Sequence, residues 1–204
     1  KEENKLEDAE LNFTKAIELN PQFALAFYNR SVVRNMLQNI NGALEDLDKA
    51  IAVDHTQKNA YFNRAIARKM LGDTEGAIQD YNKAIDLDPF FTDALINRGF
   101  SLKTLGDPGS AYHDVQKAIS LDPTNPKSYN LAGNIRLLFG DYFDAIADFD
   151  KAINLNNNYG AAYFNRGLTR IILNQRFLGC EDLKKSLELQ EKDVADVLQF
   201  FCQQ

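Results

Sequence analysis

Apolar residues recur at steps of three and four along nearly the whole chain. Ala77, Tyr81, Ala84, Ile85 and Leu87 form one such stripe, the mark of an amphipathic helix with one buried face. A second stripe precedes it through Tyr61, Ala65, Arg68 and Leu71. Between the two stands Gly72-Asp73, repeated as Gly106-Asp107 and Gly140-Asp141. Gly takes the left-handed conformation that ends a helix, and Asp caps the next one. Asp107-Pro108 is the clearest of these turns, since Pro suits the first helical residue. Asn20-Pro21, Asp88-Pro89 and Asp122-Pro123 close the second helix of their pairs. The pattern predicts helix, short turn, helix, short turn, and an all-α chain.

These pairs repeat with a fixed period. Lys15, Lys49, Lys83, Lys117, Lys151 and Lys185 stand 34 residues apart. Ala16, Ala50, Ala84, Ala118 and Ala152 follow them, with Ser186 in the sixth place. Ala9, Ala43, Ala77, Ala111 and Ala145 keep the same step until Gly179, and Ser31, Ala65, Gly99, Gly133 and Gly167 form a second small column. A period of this length marks an array in which each helix pair buries its apolar face only by stacking on its neighbours. Phased on these columns, residues 1–23 hold the second helix of a partial repeat. Full repeats occupy 24–57, 58–91, 92–125, 126–159 and 160–193, and 194–204 form a capping helix through Val194, Val197, Leu198 and Phe201.

Departures from the columns carry expectations of their own. His55, Asn157 and Glu191 replace the inter-repeat Pro, and Asn39 and Asn174 stand in turns where Gly is missing or shifted. Gly179 and Ser186 predict a looser last repeat. The partial first repeat leaves Leu6, Phe13 and Ile17 without their usual cover, which predicts that the intact protein continues upstream or that this end self-associates. The chain opens at Lys1 without Met, signal peptide or lipidation motif, and reads as a processed protein or a fragment.

The order of aromatic, small, Gly, Ala, aromatic, Ala and Pro positions resembles the tetratricopeptide repeat, over residues 1 to about 193. The resemblance implies a right-handed α-solenoid of antiparallel helix hairpins, with the first helix of each hairpin lining a concave surface where partners dock. Those helices carry Asn29, Asn63, Asn97 and Asn165, with Leu131 in the fourth repeat. An Asn amide can pair with both the N–H and the C=O of a peptide unit, so a row of them would hold backbone with little regard for sequence. The row resembles the asparagine ladder of O-linked N-acetylglucosamine transferase. The other reading is that these Asn belong to the repeat consensus and support helix packing. Tyr28, Phe62, Ile66, Phe100 and Phe164 flank the row, and Lys69, Lys103 and Lys127 add positive charge. Together they suggest an extended or helical peptide carrying an acidic residue or a C-terminal carboxylate. Chaperone-binding members of the family grip such a carboxylate with Lys and Arg at places that here hold Tyr28 or Phe62 and Asn97, so that clamp is absent.

A second lattice consists of charges. Arg30, Arg64, Arg98 and Arg166 follow the Asn row, with Arg34, Arg68, Arg136 and Arg170 one turn later. Asp46, Asp80, Asp114, Asp148 and Asp182 recur on the second helices without a gap. The expectation is a set of Arg–Asp pairs tying the two helices of a hairpin, or one hairpin to the next, with an anion-binding Arg row as the alternative.

Composition narrows the function classes. The chain has 204 residues, 45% hydrophobic and 25% charged, with a net charge of -6. That is a folded protein with no basic stripe for nucleic acid, and no apolar run long enough for membrane insertion. Only two histidines occur, His55 and His113, neither with a partner at ligand spacing, so no metal, cofactor or catalytic site is expected. Cys180 and Cys202 fall on helices expected to be antiparallel neighbours. They read either as a disulfide pinning the cap or as reduced thiols, and two Cys in a chain of this length is ordinary intracellular usage. The phrase from Gly179 to Lys185 with a late Cys looks like the end of bacterial tetratricopeptide proteins, some of them exported. The reading that follows is a non-catalytic scaffold holding a protein or peptide segment in a concave groove. Its alternatives are a recruiting region of a larger enzyme or transport machine, and a self-assembly module.

Overall fold

The computed structural model describes residues 2–202, and among them there are twelve α-helices and no strand. They are α1 (Glu2–Leu19), α2 (Ala24–Met36), α3 (Ile40–Val53), α4 (Lys58–Met70), α5 (Thr74–Leu87), α6 (Thr92–Thr104), α7 (Pro108–Leu121), α8 (Pro126–Phe139), α9 (Tyr142–Leu155), α10 (Gly160–Ile172), α11 (Arg176–Glu188) and α12 (Val194–Cys202). The chain divides into two compact units, Lys1–Ser101 and Leu102–Gln204. In the first unit each helix from α1 to α5 packs on the next, most closely within the hairpins α2–α3 and α4–α5. In the second, α7 to α12 pack in sequence order, most closely within α8–α9 and α10–α11. This is the antiparallel hairpin packing of an α-solenoid.

The turns show why the helices stop where they do. Gly72, Gly106 and Gly140 have φ of 86°, 82° and 82°, a left-handed conformation that costs Gly nothing. Gln38 and Asn174 hold the same place in their hairpins at φ 61° and 60°, so the left-handed step is made even where Gly is lacking. In every case the following N–H returns to a carbonyl five residues back, as from Asp73 to Arg68 at 2.9 Å and from Asn39 to Arg34 at 2.8 Å. Asn39, Asp73 and Asp107 then accept from the N–H of Gly42, Gly76 and Ser110, capping the next helix. Between hairpins the constant residue is not Pro but Asn or Asp. The side chains of Asn20, Asp54, Asp88, Asp122 and Asn156 each accept from the N–H two residues on, at 2.9–3.1 Å.

Small columns set the helix spacing. Ala43, Ala77, Ala111 and Ala145 are all buried, as are the large side chains beside them: Leu47 and Tyr81 in the first unit, Leu131, Ile135, Phe149 and Leu183 in the second. Each of these large side chains contributes about 1.5–3 kcal/mol by leaving water. The last hairpin is tight rather than loose. A Cβ on Gly179 would stand 2.7 Å from the Gly167 carbonyl oxygen and from an Ile171 side-chain carbon. Ser186 is buried and donates its hydroxyl to the Gly160 carbonyl at 3.0 Å. Gly179 and Ser186 therefore draw α10 and α11 together.

At the ends, Ile17 of α1 packs on the cluster of Phe27, Leu47, Ala50 and Ala60, and Leu6 and Phe13 are half-buried. Of the face expected to lack cover, Ile17 is thus packed, and the large apolar residues of α1 that are exposed are Leu11 and Leu19. At the other end Val194 is buried. Cys180 on α11 and Cys202 on α12 are joined in a disulfide, with Cα atoms 5.8 Å apart. Of the two readings of these cysteines, the structure has the disulfide rather than the reduced thiols. Residues 203–204 of the expected cap lie outside the described residues.

Candidate functional site

The first helices of the hairpins carry the Asn row. In the first unit these are α2 with Asn29, α4 with Asn63, and the part of α6 that holds Asn97, all three half-buried. Their amides are not equivalent. Asn29 makes no side-chain hydrogen bond among the described residues. The Asn63 amide donates to the Tyr28 hydroxyl at 3.3 Å. Asn97 turns back on its own helix and donates to the Asp93 carbonyl at 2.8 Å. In the second unit, α10 carries Asn165, which donates to Asn130 Oδ1 at 3.0 Å.

Asn130 is the residue that column reading missed. It stands where Tyr28, Phe62, Ile96 and Phe164 stand in the other repeats. In that repeat the amide and the apolar side chain have exchanged places, since Leu131 is fully buried. Asn130 is itself 4% exposed, and besides accepting from Asn165 it hydrogen-bonds Tyr159, which partly counters the rise that burial imposes on that phenol. The signal was an Asn in a column otherwise apolar, one residue before the gap in the row.

The flanking apolar residues divide into packing and display. Phe62 lies 4.9 Å from the Phe91 ring and 5.9 Å from the Tyr81 ring, so it belongs to its hairpin's interior packing. Ile96 is likewise buried. Tyr28 packs on the Phe27–Leu47 cluster, and Ile66, Phe100 and Phe164 are half-buried. The exposed Lys69 ammonium sits 5.6 Å from the centre of the Phe100 ring, within cation–π range. In the second unit Lys103 is half-buried and Lys127 exposed.

The charge lattice forms ties within hairpins and between them. Arg30 meets Asp46 through two bonds of 2.6 and 2.8 Å, and Arg34 lies 3.0 Å from the same carboxylate. Arg64 and Arg68 converge on Asp80 in the same way, and Arg166 and Arg170 on Asp182. The bond to Asp46 raises the Arg30 pKa against the opposing effect of burial. Burial is the largest influence on Arg64 and Arg166 and opposes their charge, yet their carboxylate partners outweigh it and leave both raised. The same guanidiniums reach the preceding hairpin: Arg64 to Asp48 at 2.8 Å, Arg166 to Asp150, and Arg98 to the Asn82 side chain at 2.8 Å. Arg34 reaches Glu10 on α1 at 2.7 Å. Asp114 is buried in the second unit.

Asp148 is the exception. Ala132 stands where the other repeats have their first Arg, so only Arg136 approaches, at 3.0 Å from Oδ2. The N–H of that nitrogen is directed at the Asp144 carbonyl instead, and Asp148 Oδ2 accepts no hydrogen bond among the described residues. Burial pushes this carboxyl up to about 6, with Arg136 opposing the rise and Asp144 adding to it.

Among the described residues no three His, Cys, Asp or Glu side chains gather where they could hold a metal ion, and no helix is long and apolar enough to cross a membrane.

Comparison with known proteins agrees with this geometry. Models of the tetratricopeptide repeat match residues 59–91, 92–125 and 115–147. A search of curated proteins finds no match. Among solved structures, YrrB, described as a TPR protein with an unusual peptide-binding site, is 23% identical over 89% of this chain and 93% of that one, with a TM-score of 0.70. Pseudomonas aeruginosa pilF is 18% identical, covering 86% of this chain and 84% of its own, at 0.75. The Cut9–Hcn1 hetero-tetramer of the APC/C gives 0.85 at 20% identity, over 98% of this chain but 40% of that one. At these identities the likeness is one of fold.

Proposed function

We propose that the chain, whose residues 59–147 match models of the tetratricopeptide repeat, is a non-catalytic interaction scaffold that holds an extended segment of another protein along its first helices. The observation that carries this reading is the amide row of the first unit. Asn29 and Asn63 stand one repeat apart on successive first helices, and neither Oδ1 is taken by a partner among the described residues. A bound strand needs donors and acceptors at intervals along its backbone, and Asn supplies both from one side chain. Apolar neighbours such as Ile66 and Phe100 give the strand's side chains somewhere to leave water. A peptide ligand is also in keeping with the description of YrrB by its peptide-binding site.

Capture of partners from the source cell on immobilised protein, followed by peptide mapping, is the direct test. The double variant Asn63→Ala with Asn97→Ala is expected to weaken binding of the mapped peptide by tenfold or more, as loss of polar pairs worth about 1–3 kcal/mol implies. Equal affinity with unchanged helicity would remove the amide row from the mechanism. A second reading, a recruiting region within a larger machine, draws on the Cut9–Hcn1 likeness, in which this fold spans 40% of a longer chain. In that case the captured partners would be substrates of an activity carried elsewhere on the same polypeptide.

A further inference from the structure

The first unit contains a cleft whose lining residues change in the next repeat interval. It lies among α2, α3 and α4, has a volume of about 160 Å³, and is walled by Val32, Leu47 and Ile66 with Ser31, Asn35 and Asn63 contributing polar atoms. One repeat later the same places hold different residues. Tyr81 replaces Leu47 and Phe100 replaces Ile66, while Lys69 replaces Asn35 and lies over the Phe100 ring. Two rings thus stand in the second interval where two aliphatic side chains stand in the first. The space is of aromatic size, since a cavity of roughly 150 Å³ accepts benzene.

Its polar atoms say more about the occupant. Asn35 Oδ1 is buried and has no hydrogen-bond partner among the described residues. A buried acceptor without a donor is costly, and an occupant with a donor at its tip would relieve that cost. Ser31 already donates to the Tyr28 carbonyl at 2.6 Å and cannot serve Asn35 with that proton. Asn63 donates to the Tyr28 hydroxyl, which leaves its Oδ1 to accept from a neighbouring peptide N–H. We propose that this cleft is a side-chain subsite of the peptide-binding face and that it takes a tyrosine. The ring lies between Val32, Leu47 and Ile66, the phenol O–H donates to Asn35 Oδ1, and Asn63 holds the adjacent peptide unit. The subsite rests on the peptide-binding reading given above, and it adds a sequence preference that an amide row alone does not supply.

The test separates the two. Isotope-labelled full-length chain is titrated with p-cresol and with toluene, the side-chain analogues of Tyr and Phe, and followed by amide chemical shifts. The expected result is saturable change centred on Asn35, Ile66 and Ala67, with toluene about tenfold weaker. Asn35→Leu should bring the two probes to equal affinity. Ile66→Phe, which restores the ring of the next interval, should abolish both while leaving the far-UV spectrum unchanged. Peptides selected from a random display library on the full chain should be enriched in Tyr over Phe, and lose that enrichment on the Ile66→Phe protein. No shifts at the cleft, equal binding of the two probes to the unaltered chain, or the same peptides selected by Ile66→Phe would overturn the subsite. Peptides that survive Ile66→Phe but are lost on Asn63→Ala with Asn97→Ala would overturn it while leaving the amide row standing.

Discussion

Asp148 and Tyr81 show how one position in a repeated column can differ in chemistry from its equivalents. The folded Asp148 carboxyl titrates near 6, above its ordinary value of 3.8, so the folded state binds that proton more tightly than the unfolded one. Its cost to stability is absent below about pH 3.8 and fully present above about pH 6, so stability falls as pH rises through that window. Asp148→Asn is expected to remove this slope and to raise stability at pH 8 by about 1–3 kcal/mol, measured as a urea midpoint at several pH values. A variant that loses stability at pH 8 would show that Arg136 needs the carboxylate. Asp54, Asp88 and Asp122 act in the opposite sense. Hydrogen bonds lower their pKa values, led by those from Thr56 and Thr124 in the turns of Asp54 and Asp122 and, for Asp88, by that from Lys58 at the start of α4, so the stability they supply is present above pH 3.8 and lost as acid titrates them. Tyr81 is fully buried with its hydroxyl unpartnered among the described residues. Tyr81→Phe should therefore leave the urea midpoint unchanged or raise it, by up to about 1 kcal/mol. Neither peculiarity was visible in the sequence, because the Asp column is unbroken, and a Tyr in a column that elsewhere holds Leu47, Val115 and Phe149 does not show whether its hydroxyl finds a partner. What set Asp148 apart was Ala132, a gap in a different column, and only packing shows that the gap falls opposite it.

At the scale of the helix and its turns the sequence was far more legible. Gly72, Gly106 and Gly140 announced their turns because a left-handed residue is cheap only for Gly, and Asp at the next position announced a cap. Gln38 did not announce itself, since nothing in its chemistry favours positive φ, and the stacked hairpins must impose it. Pro drew the eye in the inter-hairpin turns, yet the Asn or Asp before it makes the recurring hydrogen bond. Gly179 was read in the wrong direction: a small residue in an Ala column can equally well mark a closer approach, and spacing along the chain cannot distinguish the two. Its backbone neighbour across the hairpin is the Gly167 carbonyl, which cannot yield as a side chain tip would. Gly179→Ala should lower stability by about 1–3 kcal/mol in a thermal melt, whereas Gly109→Ala, whose added carbon meets only Asp107 at 3.7 Å, should change it little.

For the molecule as a whole, the fold class followed from the period, because a column that repeats several times in register can have few other causes. The candidate site followed less well. A column places Asn63 and Asn97 on equivalent turns, but only the folded chain shows that one amide faces Tyr28 and the other its own helix. The C-terminal bond was also beyond composition, which counts cysteines without placing them. The disulfide between Cys180 and Cys202 closes a loop with a sequence separation of 22 residues, for which about 3 kcal/mol of stabilisation is expected. Reduction should lower the melting temperature of the second unit and speed amide exchange in α12 with little effect on α2–α5. Exchange in α12 that is unchanged by reductant would mean that packing around Val194 alone holds the cap.

The doubly engaged arginines have a consequence for how such an array comes apart. Asp80 and Asp182, the partners inside a hairpin, are almost completely shielded, with side chains 3% and 6% exposed. Asp48 and Asp150, the partners on the preceding hairpin, are 55% and 44% exposed. Dissolved salt screens the second kind of contact more strongly than the first. In a linear array, stability is the sum of what each repeat holds by itself and what it shares with its neighbours. Within each unit, ionic strength should erode the shared part first, so that a single sharp transition at low salt broadens toward hairpins melting one by one.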